Sequence, residues 1–459
     1  MELPFLDRAA EQEQLTRMLS RREGGFAVLY GRRRCGKSRL LQEVLPPDRS
    51  IYYVGDDRES TIQRASLAAE IGRRQPGFDD VRYPDWDALL SRFFREAPPG
   101  SVLAIDEFPA LVNAAPDLAS VLQKRLDARP SRGVHVIVAG SSQRLMQGLV
   151  LDRTAPLFGR ATAIVPVGPL PAGWIQKALP LPTAEAAVEA YAVWGGVPRY
   201  WELAADYRNL EEAVQALVLS PVAVLYDEPS RLLVDDMRDT TQAASILSLV
   251  ARGSHRLSEI AGRLEKPATA LVRPMQRLLE LGLVARDVPF GSTLRDTKRT
   301  LYNVSDPFLR FWFRHVEPAR SRLAGRQGFA VAAGITTSLG PHVGTVWEDL
   351  ARASVASLPA FGHQWRPGAR WWGPGLDRQP MEIDVVAESE DRKAVLLGEA
   401  RWATQDTSAS LAADLRRKAK LFPLAAGREV HLGMWLAHPA RVRDVHTFTP
   451  RDVLRALRN

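Results

Sequence analysis

Along this 459-residue chain the spacing of apolar positions changes several times, and each change marks an element. Gly25-Phe26-Ala27-Val28-Leu29-Tyr30 is almost continuously apolar, which predicts a short strand buried on both faces. Ser101-Val102-Leu103-Ala104-Ile105-Asp106 and Val134-His135-Val136-Ile137-Val138-Ala139 predict two more. Helical spacing follows the first strand in Arg39-Leu40-Leu41-Gln42-Glu43-Val44. It returns in Leu257–Leu264 and, over a longer stretch, in Ala268–Leu281, where Leu271, Met275, Leu278 and Leu279 share a face. Leu283–Asp287 and Lys298–Tyr302 read as strands around a turn at Gly291, so this region predicts a helix-turn-helix with a wing. Tyr302–Phe313, dense in large aromatics, reads as a docking helix. Met381–Val386 alternates and Ala394–Glu399 is apolar, a pairing that predicts a hairpin flanked by helices Thr345–Ala353 and Ala412–Leu421.

The candidate chemistry begins where the first strand ends. Gly31-Arg32-Arg33-Arg34-Cys35-Gly36-Lys37-Ser38 is a phosphate-binding loop in its required setting, with a strand before it and a helix after. Glycines let backbone N–H groups turn inward, and the helix end adds positive potential. Gly31 through Arg39 is therefore expected to line an ATP site. Lys37 would neutralise the β/γ-phosphates and Ser38 would ligate magnesium. About 70 residues on, the second apolar strand delivers Asp106 and Glu107. Asp106 suits magnesium coordination, and Glu107 suits polarising the attacking water. The adjacent acids also predict an extra strand, Val134–Ala139, between the loop strand and the Asp106 strand. Beyond it, Ser141 or Ser142 is a candidate for touching the γ-phosphate, the alternative being a helix N-cap.

With Phe5-Leu6-Asp7-Arg8, Glu11, Glu13 and Leu15 ahead of that loop, the sequence resembles the archaeal-type ATPase family of the AAA+ class. Gly140-Ser141-Ser142, Pro156-Leu157-Phe158-Gly159-Arg160 and Gly195-Gly196-Val197-Pro198 continue the resemblance. It implies Arg160 as an arginine finger, with a surface arginine as the alternative, and it places the turn ending at Pro198 near the base. The aromatic segment from Tyr302, with Trp371-Trp372-Gly373, Glu382–Val386 and Leu397–Trp402, resembles the same family's C-terminal domain of uncharacterised function, which is similar to restriction-endonuclease-like folds.

The predicted hairpin brings Asp384 and Glu399 together, with Glu348 as a third acid, a set that would hold a second divalent metal. A nuclease pattern needs Glu-x-Lys, whereas this chain has Glu399-Ala400-Arg401. A guanidinium is permanently charged and a poor proton acceptor. Lys418 or Lys420 would then have to substitute. Both an active nuclease and an inactive binding descendant remain open, and the winged helix is read either as a DNA contact or as internal packing.

Composition narrows the classes. Lys and Arg total 61 against 53 Asp and Glu, which favours an anionic partner such as DNA. Only eight residues are lysine, so Lys37 within a glycine loop stands out. The single cysteine, Cys35, excludes an intrachain disulfide framework. No apolar run suits a membrane, and a cytoplasmic chain is expected. The expected architecture is α/β: a P-loop AAA+ type parallel sheet (1–170), a helical lid (171–235), a winged helix (236–305) and a small nuclease-like α/β domain (306–459). The expected activity is magnesium-dependent ATP hydrolysis on or near DNA. The alternative is a nucleotide-controlled switch whose C-terminal domain binds a protein partner. A homo-oligomer is among the candidate partners, and whether Arg160 acts within one subunit or between two stays open.

Overall fold

A computed structural model describes residues 3–128, 133–237, 239–293, 299–325, 327–402 and 408–458. The chain divides into two compact units, Phe5–Pro169 and Leu170–Asn459, the latter joined by Met1–Pro4. No helix among the described residues is long and apolar enough to cross a membrane.

The first unit is built on strands β1 (Gly25–Tyr30), β2 (Ser50–Val54), β3 (Val102–Asp106), β4 (His135–Gly140) and β5 (Ala163–Pro166). They form one sheet in the order β2-β3-β4-β1-β5. Every pairing is parallel. β4 therefore sits between the loop strand and the Asp106 strand, as the adjacent acids predict. β3 and β4 are buried along their whole length, which is why their sequences show no alternation. Phe26, Val28, Leu103, Ile105, Val136 and Val138 pack against Leu67, Leu90, Phe93 and Phe108 from the covering helices. The carboxyl ends of β1, β3 and β4 open side by side, the usual place for a ligand in a parallel sheet.

In the second unit, helices Thr240–Ala251, Leu257–Arg263 and Ala268–Glu280 precede an antiparallel pair, β6 (Val284–Asp287) with β7 (Leu301–Val304). Lys298, at the start of the predicted wing strand, lies outside the described residues. Tyr302, Asn303 and Val304 belong to β7 and not to the docking helix, which starts at Pro307 because the Asp306 carboxylate caps it at Leu309 N, 2.8 Å. A separate sheet comprises β8 (Ala369–Pro374), β9 (Pro380–Glu388), β10 (Ala394–Arg401), β11 (Glu429–Leu436) and β12 (His446–Phe448), in the order β12-β11-β10-β9-β8. β8, β9 and β10 are antiparallel neighbours, while β10, β11 and β12 run parallel. Helix Gly328–Ser354 is far longer than the predicted Thr345–Ala353. Glycines and Pro341 obscure its first half in the sequence, but Val331, Ala332 and Ile335 are buried there and hold it helical. Helix Ser408–Leu421 packs Leu411, Ala412 and Leu415 onto β10 and β11.

Candidate functional sites

The phosphate loop is shaped by backbone. Gly31 has φ +147°, and a Cβ there would lie 2.1 Å from the Val167 carbonyl oxygen. Arg34 and Gly36 also adopt positive φ, 69° and 91°, the kind of backbone turn from which anion-binding nests are built. Helix Lys37–Val44 starts there without a side-chain cap. Lys37 is 5% exposed, and its Nζ donates to the carbonyls of Gly31 (2.8 Å) and Arg32 (3.1 Å). Burial lowers the Lys37 pKa, while Glu107 and Asp106 pull it back up.

Asp106 is the hub of the site. Its Oδ2 accepts from Ser38 Oγ at 2.5 Å and from Tyr52 at 2.8 Å, and its Oδ1 accepts from Glu107 N at 2.9 Å. Burial and the Asp106 charge together raise the Tyr52 pKa. Glu107 sits in the left-handed region (φ 48°, ψ 42°), an uncommon state for glutamate that clusters at functional sites. Its Oε2 accepts from Ser141 Oγ (3.0 Å) and Ser141 N (3.3 Å). Ser142 caps the following turn through Leu145 N. The two serines thus divide the alternatives: Ser141 faces Glu107 and Ser142 is a cap. A hydroxyl, a carboxylate and an uncapped helix start form a donor set that fits a nucleotide phosphate with magnesium.

Arg160 donates to both carboxylate oxygens of Asp127 (2.8 and 2.9 Å) and to the carbonyls of Pro156 and Phe158. Pro198 begins helix Pro198–Ala204 in the second unit. Arg8 and Tyr52 carry roles that the sequence reading did not assign. Arg8 is 6% exposed and donates to Cys35 O at 3.2 Å, to Gly168 O and to Glu11. It ties the first segment to the phosphate loop. A buried arginine with positive φ has no signature in hydrophobic spacing. Tyr52, the middle residue of β2, is visible in the sequence only as one of two adjacent tyrosines in a short strand.

The C-terminal acids meet as the hairpin predicts. Asp384 and Glu399 lie one step beyond the paired Val385 and Gly398. Arg401 bridges them, at 2.8 Å to Asp384 Oδ2 and 3.1 Å to Glu399 Oε2. Lys418 also turns inward, 2.6 Å from Glu399 Oε1 and 3.1 Å from Asp414. Lys420 is exposed. Burial and the neighbouring Asp384 push the Glu399 carboxyl up to about 7, against the pull of Lys418 and Arg401. Burial and Asp384 likewise raise Glu348 to about 7, and Arg352 lies 3.9 Å from it. Among the described residues, Glu348, Asp384 and Glu399 do not bring three oxygens within 4.8 Å of one another.

Residues 5–203 match the model of an ATPase domain found predominantly in Archaea, and residues 312–412 match a family of archaeal and bacterial proteins of unknown function. An uncharacterised protein of Methanocaldococcus jannaschii is 27% identical over 430 residues, covering 92% of this chain and 93% of that protein. A Walker-type ATPase of Pyrococcus abyssi superposes with a TM-score of 0.53 at 18% identity, over 68% of this chain and 96% of that one. The ORC2 protein of Aeropyrum pernix, in complexes with ADPNP and ADP, gives a TM-score of 0.48 at 15% identity, over 71% and 96%.

Proposed function

We propose that the chain is a DNA-binding ATPase whose C-terminal sheet is a non-cleaving scaffold, a reading supported by the match of residues 5–203 to the archaeal ATPase domain. In the first unit, the backbone of Gly31–Arg39 would hold the phosphates. Lys37 would exchange its two carbonyl acceptors for β/γ oxygens. Ser38 and Asp106 would hold magnesium, which supplies charge neutralisation at those oxygens. Glu107, steadied by Ser141, would orient the attacking water and take its proton.

The observation that supports DNA binding is the helix Ala268–Glu280. Leu271, Met275 and Leu278 face inward, while Thr269, Val272, Arg273 and Gln276 are exposed and Lys266 stands just before it. A helix-turn-helix reads a groove with such a face: short side chains near the N-terminus, with arginine and glutamine able to reach bases or phosphates. Arg277 bonds Glu280 and is less available. The scaffold reading of the last sheet rests on Arg401. With a guanidinium fixed between Asp384 and Glu399 and Lys418 on Glu399, the acids are neutralised without a divalent ion.

Duplex retention across a salt series tests the proposal. Affinity should fall steeply with salt, because bound phosphates release counterions. Arg273→Glu should weaken retention and flatten the slope. Lack of retention at low salt, with and without nucleotide, would favour the switch that binds a protein partner. Plasmid incubated with Mg²⁺ or Mn²⁺ should stay intact with the native protein and with Asp384→Ala alike. Cleavage abolished by Asp384→Ala would overturn the scaffold reading.

A further inference from the structure

On the far side of the same sheet, away from Asp384, lies a second chemical cluster. Glu429 and His431 alternate along β11 onto the face shared with Trp435, opposite the face on which Met434 and Leu436 join the core. A turn before β8 brings His363 over them. His363 Nε2 is 3.6 Å from Glu429 Oε2, and His431 Nε2 is 3.2 Å from Glu429 Oε1. Among the described residues this is the one group of three such side chains whose donor atoms converge within 4.8 Å.

We infer that His363, Glu429 and His431 form a binding site for a divalent transition metal. Two donors bound to one tetrahedral ion at ordinary zinc distances are about 3.3 Å apart, a spacing that the carboxylate–imidazole separations of 3.2 and 3.6 Å match. The His431 Nε2 atom is buried and has no hydrogen-bond partner, even with the Glu429 oxygen so near. A buried nitrogen normally finds a partner, and a metal would provide one.

The surroundings hold the rings in place. Phe361 lies 4.6 Å from the His431 ring and Trp365 lies 5.4 Å from the His363 ring. Phe361 itself adopts φ 58°, turning the chain so that His363 faces β11. Backbone bridges Ala360–His363 and Trp365–Ser389 fix the turn at both ends. Glu429 is 65% exposed along its side chain, so the site opens to solvent and water can complete the coordination. Two imidazoles and a carboxylate suit Zn²⁺, Co²⁺ or Fe²⁺ and disfavour Mg²⁺, which takes oxygen ligands.

The test uses the full chain, stripped of metal by chelator and kept free of nucleotide, in excess Mg²⁺ to occupy oxygen-only sites. Titration with Co²⁺ should give a visible ligand-field absorption that saturates at one equivalent, and Zn²⁺ should displace it. Glu429→Gln, an exposed change that leaves the core untouched, should weaken Co²⁺ binding by more than about tenfold, since even outer-shell changes cost that much. His431→Asn should abolish the absorption while circular dichroism stays native. His446→Ala, another ring against Phe361, should leave binding unchanged. No binding by the native chain, or binding in Glu429→Gln and His431→Asn as tight as in the native chain, would overturn the site.

Discussion

At the scale of single residues, the proposed phosphate site assigns different tasks to a lysine and a glutamate. Lys37 already spans two loop carbonyls, so it is positioned before any phosphate arrives. Lys37→Ala should weaken Mg-ATP binding by about tenfold or more, read by calorimetry, because a charge-assisted contact is removed. Unchanged affinity would sink that role. Glu107→Gln should bind ATP normally and lose about two powers of ten in turnover, the scale of a missing general base. Normal turnover would move the base elsewhere. The meeting of Ser38 with Asp106, the last residue of β3, was legible because the spacing of loop and acids sets both at neighbouring strand ends. Arg8 and Tyr52 were not, since each acts through one long-range contact, and contacts between distant segments leave no local pattern.

At the scale of elements, the C-terminal hairpin shows what a strand pattern can and cannot reveal. Alternation in Met381–Val386 was enough to set Asp384 opposite Glu399. The direction of Arg401 and Lys418 was not readable, because it depends on rotamers chosen by burial. Both cations turn in on Glu399, whereas Glu348, with Arg352 3.9 Å away, is raised to about 7 by burial and the neighbouring Asp384. Its folded pKa lies above its ordinary value of 4.5, so the folded chain holds the extra proton between about pH 4.5 and about pH 7. Stability from this group is complete below that window and is lost as pH rises through it. Melting temperature should therefore drop over the window in the native protein and drop less in Glu348→Gln. Equal slopes in the two proteins would show that Glu348 does not titrate there. The length of helix Gly328–Ser354 escaped sequence reading for a related reason: tertiary burial of Val331 and Ile335 overrides the local cost of its glycines.

For the whole molecule, Arg160 bears on whether copies of the chain must meet. Four hydrogen bonds to Asp127, Pro156 and Phe158 bind it within its own unit. We therefore expect mixtures of Arg160→Ala with Glu107→Gln to recover no activity beyond the sum of the parts. Recovery would mean that one copy completes the site of another. The place of β4 in the first sheet was legible from two adjacent acids. The division after Pro169 lies in the proline- and glycine-rich run Pro166–Gly173, beside the boundary expected after residue 170. Arg8 leaves one consequence for how the first unit is handled. Its bond to Cys35 O makes the opening segment a brace for the loop Gly31–Ser38, though that segment lies outside the loop itself. Proteolytic clipping between helix Ala9–Leu19 and β1 would leave every catalytic side chain in place and still slacken the loop. Nucleotide protection against limited digestion at Arg21 or Arg22 would then report ATP binding from outside the site.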